Sequence, residues 1–189
     1  SQIQSIGTNI IYVMPGNRLE MGSSNRPLTL SDANALANKL RAPHIRNVAP
    51  IITESSSVNF GKESAMTTIY GVNPDFDKIQ NLSIAEGAFF TQTDLDSRAS
   101  VVVIGPHLAE QLFAKAEGVV GRVVRINNYP FRVIGVTEAK GGSQFNNPDQ
   151  FAYIPLTSMQ TRVKQNLSTG RVSFILLQAE DEESVKTAI

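Results

Sequence analysis

The chain has 189 residues, 41% apolar and 18% charged, enough for one good core or two small ones sharing a boundary, and a composition that excludes a disordered chain. Its 17 basic residues balance its 17 acidic ones with no clustered basic stripe, which excludes an electrostatic reader of nucleic acid or anionic membrane. With no cysteine, thiol catalysis, disulfides and cysteine-ligated metals are excluded too, while the compartment stays open.

Residues 9–14, rich in Ile, Tyr and Val, predict a strand stopped by Pro15-Gly16. After a polar loop over 17–27, Thr29-Leu-Ser-Asp32 gives a helix start, a hydroxyl cap with an acid three residues later. Ala33, Leu36, Ala37 and Leu40 follow at helical spacing, and Pro43 ends the element. Residues 45–53 predict a strand in which Pro50 implies an edge or a bulge, and 65–72 predict another.

Residues 100–104 read as a buried strand, turned by Gly105-Pro106 into a helix with Leu108, Leu112 and Phe113 on one face. A hairpin of 122–126 and 131–137 turns at Asn127-Asn128-Tyr129-Pro130. Residues 140–148 read as a flexible loop, 151–154 as a strand, and Thr157 or Ser158 as the cap of a helix after Leu156. A strand over 172–179 and a helix capped by Asp181 complete the series. No run approaches the ~20 apolar residues needed to span a bilayer. The N-terminus lacks signal-peptide anatomy and the last helix reads as cut, so a piece of a longer chain is expected.

The inventory of reactive residues is thin. The two histidines, His44 and His107, have no carboxylate spacing that suggests a metal site. Asp75/Asp77 and Asp94/Asp96 have Asp-x-Asp spacing, but neither segment supplies the glycine, further oxygens and distal glutamate of a calcium loop. Asp75 fits better as a negative residue at a helix start. Gly61-Lys62-Glu63-Ser64 fails as a phosphate loop, because Ser56 stands where the first glycine belongs and Glu63 where Ser or Thr belongs. These readings imply a non-catalytic α+β domain without metal or cofactor. Its β–α–β opening and β–α end suggest two similar halves flanking a strand-rich insertion.

The ordered segments Ile6-Gly-Thr-Asn-Ile-Ile-Tyr-Val-Met-Pro-Gly16, Tyr70-Gly-Val-Asn-Pro-Asp-Phe76, Glu86-Gly-Ala-Phe-Phe90, Ser100-Val-Val-Val-Ile-Gly105, Phe131-Arg-Val-Ile-Gly-Val136 and Ala152-Tyr-Ile-Pro-Leu-Thr-Ser-Met159 cover nearly the whole chain. Together they resemble MacB-type ABC transporter permeases, in the extracytoplasmic domain between the first and second transmembrane helices. The resemblance implies a two-lobed fold. Residues 1–84 and 156–189 form a membrane-proximal lobe of β–α–β type, and 85–155 an inserted strand-rich lobe. It further implies a domain on the outer side of the bacterial cytoplasmic membrane that couples ATP-driven helix motion to efflux or envelope export.

The implied partners are the protein's own transmembrane helices, a cytoplasmic ATPase and a periplasmic adaptor. The isolated fragment is expected to be a monomer and the full transporter a dimer. Partner contacts are expected on loops of the inserted lobe, at Asp94, Asp96 and Arg98 and at Gly141, Gly142, Gln144 and Phe145, since exposed loops carry variable function. The plain alternative for these residues is a solvated loop. Two other readings of the chain stay open at this point: a stand-alone envelope binding or adhesion module, and a hydrolase using carboxylates that the sequence does not pair.

Overall fold

The computed structural model describes residues 2–5, 9–15, 27–38, 44–141, 147–164 and 170–180. The first strands are β1 (Gln2–Ser5), β2 (Ile10–Met14), β3 (Ile45–Phe60), β4 (Glu63–Val72) and β5 (Ile84–Gly87). Then come β6 (Val101–Ile104), β7 (Val123–Ile126), β8 (Tyr129–Thr137), β9 (Ala152–Pro155) and β10 (Phe174–Ala179). The helices are α1 (Leu30–Ala37), α2 (Asp75–Gln80), α3 (Gln92–Asp96), α4 (Pro106–Phe113) and α5 (Leu156–Ser158), the last continuing in π geometry over Met159–Val163. The strands form one sheet in the order β1-β2-β10-β3-β4-β9-β6-β8-β5, with β7 off this path, pairing β3 and β8.

Alternating side chains of the central strands bury both faces of this sheet. Val102 and Ile104 of β6, Ala152 and Ile154 of β9, and Ile175 and Leu177 of β10 belong to one core. That core is covered by Leu108, Ala109 and Leu112 of α4 and by Leu156, Met159 and Val163. Their neighbours Val101, Val103, Tyr153 and Leu176 belong to a second core with Phe76 and Ile79 of α2. Uninterrupted apolar runs such as Val101–Ile104 are what a strand buried on both faces requires.

Strand β3 is longer than its composition suggests, running past Thr53 to Phe60 through a serine-rich stretch. Serine is not favoured in strands. Here continuous pairing with β4, from Ile52↔Gly71 to Phe60↔Glu63, holds the extended backbone. Its first half pairs β10 instead, with Pro50 opposite Ile175, and β4 begins pairing only at Ile52. Pro50 therefore lies where the flank of β3 away from β10 has not yet met β4, which is the edge condition within an otherwise central strand. Gly61, at φ 58°, and Lys62 close the β3–β4 hairpin in two residues. The Gly-Lys pair is thus a turn between antiparallel strands.

Local signals set most helix ends. Thr29 accepts the N–H of Asp32 while the Asp32 carboxylate accepts the N–H of Thr29 at 2.8 Å, the reciprocal cap anticipated there. Pro106 opens α4, and Asp75 opens α2. Asn127 and Asn128, at φ 49° and 66°, turn β7 into β8 in two residues.

The expected cap of α5 is a correction. The helix begins at Leu156 itself, after Pro155, with no side-chain cap bond. Thr157 Oγ1 donates to the Leu95 carbonyl at 2.6 Å and Ser158 Oγ to the Ala99 carbonyl at 2.8 Å. Both hydroxyls tie α5 to α3 and its exit. Pro148–Gln150 forms a short 3-10 turn that begins at the last residue of the stretch read as loop. The helix expected from Asp181 lies outside the described residues.

Candidate functional site

Asp94 is the third residue of α3, and its carboxylate accepts the N–H and the hydroxyl of Thr91, both at 2.8 Å. Thr91 in return accepts the N–H of Asp94, so the acid of the Asp-x-Asp pair is half of a capping box. Asp96 accepts Gln92 Nε2 at 2.8 Å one turn away. Arg98 follows the helix at φ 53°, and its carbonyl accepts Arg162 Nη1 at 2.7 Å. These three residues are exposed or half-buried, but their polar groups close the ends of α3 and anchor it to the helix after β9.

Gly141 is anchored elsewhere. Its N–H donates to Asp149 Oδ2 at 2.9 Å, and the N–H of Lys140 to Asp149 Oδ1 at 2.8 Å. The buried Asp149 thus fastens one end of the 140–148 segment to the other through two charge-assisted bonds. Gly142, Gln144 and Phe145 lie outside the described residues. The two predicted loops therefore have separate anchors, α5 for one and Asp149 for the other. Among the described residues, no three His, Cys, Asp or Glu side chains gather as a metal site. His107 lies 3.7 Å from Glu110 on exposed helix surface.

One concavity was not anticipated from the sequence. A cleft of about 370 Å³ opens on the second face of the sheet, lined by Tyr12, Tyr70, Tyr153, Phe151, Phe174 and Lys140 among others. Tyr12 and Phe174 stack with ring centroids 5.9 Å apart and planes 25° apart, because β2 and β10 are neighbours in register. Tyr70 meets Phe151 at 5.0 Å and Tyr153 at 5.7 Å across the β4–β9 pairing. Lys140 stands at the rim, its Nζ donating to the Gln80 and Asn81 carbonyls that end α2.

Burial raises the Tyr70 phenol above its ordinary value, with the Tyr12 phenol adding to the shift. It raises Tyr153 further still, the Tyr70 phenol and the Asp149 carboxylate contributing. Both keep their O–H hydrogen at neutral and mildly alkaline pH. The only hint in the sequence was the density of aromatics around residues 70–76 and 151–153. Nothing local said that residue 12 and residue 174 would join them.

Comparison with known proteins sets this geometry in a family. A family model described as the MacB-like periplasmic core domain matches residues 1–189. The macrolide export ATP-binding/permease protein MacB of Shewanella oneidensis is 35% identical over 170 residues, 85% of this chain and 25% of that protein. The pyoverdine export ATP-binding/permease protein PvdT of Pseudomonas aeruginosa is 31% identical over 192 residues, all of this chain and 27% of that protein. The chain thus spans about a quarter of the length of the curated relatives it matches.

The crystal structure of the periplasmic region of MacB from Actinobacillus actinomycetemcomitans superposes with a TM-score of 0.77 at 25% identity, covering 97% of this chain and 82% of that one. The extracellular domain of the Gram-positive ABC-type transporter YknZ gives 0.75 at 22% identity, covering 96% and 87%, a likeness of fold. The chain belongs to the MacB-like periplasmic core domain family, and is an extracytoplasmic domain of a MacB-like ABC transporter permease.

Proposed function

We propose that this domain is a rigid coupling and docking module. ATP-driven motion of the permease's transmembrane helices passes through it to efflux or envelope export, and its outer end docks a partner protein. The observation that carries this reading is β3. One unbroken strand of 16 residues pairs β10 over its first half and β4 and β7 over its second. Displacement applied to the β2–β10 side has no loop in which to dissipate before it reaches the β4 side.

The strand order supports a two-lobed division at 85 and 155. Strands from 1–84 and 156–189 occupy β1-β2-β10-β3-β4, and those of the inserted segment lie beyond, as β9-β6-β8-β5 with β5 beginning at Ile84. Among the described residues, the parallel β4–β9 pairing and the short β3–β7 contact are the strand pairings that join the two sets. The domain itself is non-catalytic in this reading. The relatives' names pair an ATP-binding part with a permease, which supports an ATPase as a separate domain or chain. The transporter works as a dimer while this domain alone is monomeric, and a periplasmic adaptor is the docking partner where the host has an outer membrane.

Softening β3 tests the coupling. Ser55→Gly with Ser56→Gly in the full-length parent, each costing about 0.5–1 kcal/mol of local stability, should leave ATP hydrolysis intact and lower export several-fold. Unchanged export in a folded, ATP-hydrolysing variant would oppose the reading. Photo-crosslinkers at Asp96 and Gly141 in the parent protein should capture the docking partner. Capture only from other faces would move the docking surface elsewhere.

A further inference from the structure

The aromatic cleft has no part in the coupling reading, and the inference drawn from it stands apart from that reading. We propose that the cleft is a binding site for a planar aromatic carboxylate, its ring held between the aromatic walls and its acid group directed to Lys140.

The volume of about 370 Å³ lies in the range of small-molecule sites. Its walls come from four strands, with Tyr12 on β2, Tyr70 on β4, Tyr153 on β9 and Phe174 on β10, so the sheet itself presets their spacing. The near-parallel Tyr12–Phe174 pair offers a flat surface, and the tilted Tyr70–Phe151 pair offers ring edges. Flat rings complement both, since aromatic pairs favour offset-stacked or edge-to-face contact.

The polar lining is rich in donors. Tyr70 and Tyr153 retain their O–H groups, and the Lys140 ammonium has three hydrogens, of which the Gln80 and Asn81 carbonyls take two. Gln80 Nε2 already donates to the Tyr12 hydroxyl at 3.4 Å. An acceptor-only group such as a carboxylate meets this lining better than a hydroxyl or an amine. Asp77, on the next turn of α2, feels the same ammonium and opposes an anion.

The test uses the 189-residue chain with 2-naphthoate as probe, followed by amide chemical shifts and calorimetry. Saturable binding near or below about 1 mM is expected, with shifts centred on residues 12, 70, 153 and 174. Lys140→Met should weaken 2-naphthoate about tenfold and leave neutral 2-naphthamide little changed, while Asp77→Asn should tighten 2-naphthoate a few-fold. Tyr12→Leu, which leaves the Lys140 contacts in place, should weaken both probes. Absence of saturable binding, shifts mapping away from the cleft, or equal binding of cyclohexanecarboxylate would each overturn the proposal.

Discussion

Asp149 accepts the backbone N–H of Gly141 at 2.9 Å while its own carbonyl lies so close to Gly105 that a β-carbon there would stand 2.2 Å from the oxygen. One buried acid thus fixes the base of the 140–148 segment and the turn from β6 into α4. Asp149→Ala removes two charge-assisted bonds and leaves two N–H groups without their acceptor. It should cost about 2–4 kcal/mol in urea unfolding, with Asp149→Asn recovering part of the loss.

Gly105→Ala places a methyl group against backbone, which cannot rotate aside. A loss above about 3 kcal/mol is expected. Gly61→Ala meets no atom within 4 Å and pays only for its positive φ of 58°, about 1–2 kcal/mol. Denaturant midpoints of the two variants, measured side by side, check the order.

Ser158 separates the observed role from the one its sequence position suggested. It is fully buried, donates to the Ala99 carbonyl at 2.8 Å and accepts Arg162 Nη1 at 3.2 Å. Ser158→Ala should cost about 1–3 kcal/mol. An N-cap serine tolerates Asp well. Ser158→Asp should instead be at least as damaging as Ala, because a carboxylate cannot donate to Ala99. Thermal melts of both variants decide it.

The fold was legible where a signal and its partner lie close together in the chain. The Thr29–Asp32 box, the Pro106 helix start and the Asn127-Asn128 turn all complete themselves within a few residues. Thr91 and Asp94 carry the same capping signature, in a segment that reads from the sequence as an exposed loop. Ser158 was misassigned because its acceptor stands 59 residues away. The cleft needed strands from both ends of the chain, so only the assembled sheet could reveal it. What carried the family was the order of several weak segments, each unspecific alone.

Alkaline pH should expose the buried phenols. Tyr153 is raised in the folded state mainly by burial, so folding retains a proton that the unfolded chain releases near pH 10. Its contribution is whole below that value and declines as pH rises toward the folded pKa. Absorbance at 295 nm should show Tyr153, one of the four tyrosines, ionising only with loss of the fold. Tyr153→Phe should flatten the fall in stability above pH 10.

A rigid coupling domain keeps its internal distances while it moves. The chain has no cysteine, so paired spin labels at Asn34 on α1 and His107 on α4, both exposed, need no background removal within the domain. In the full-length parent, cycled between ATP-bound and nucleotide-free states, pulsed electron paramagnetic resonance should give an unchanged 34–107 distance within one domain. The distance between equivalent labels on two copies should shift with nucleotide. A changing 34–107 distance, or no nucleotide-dependent shift between copies, would contradict a rigid coupling domain.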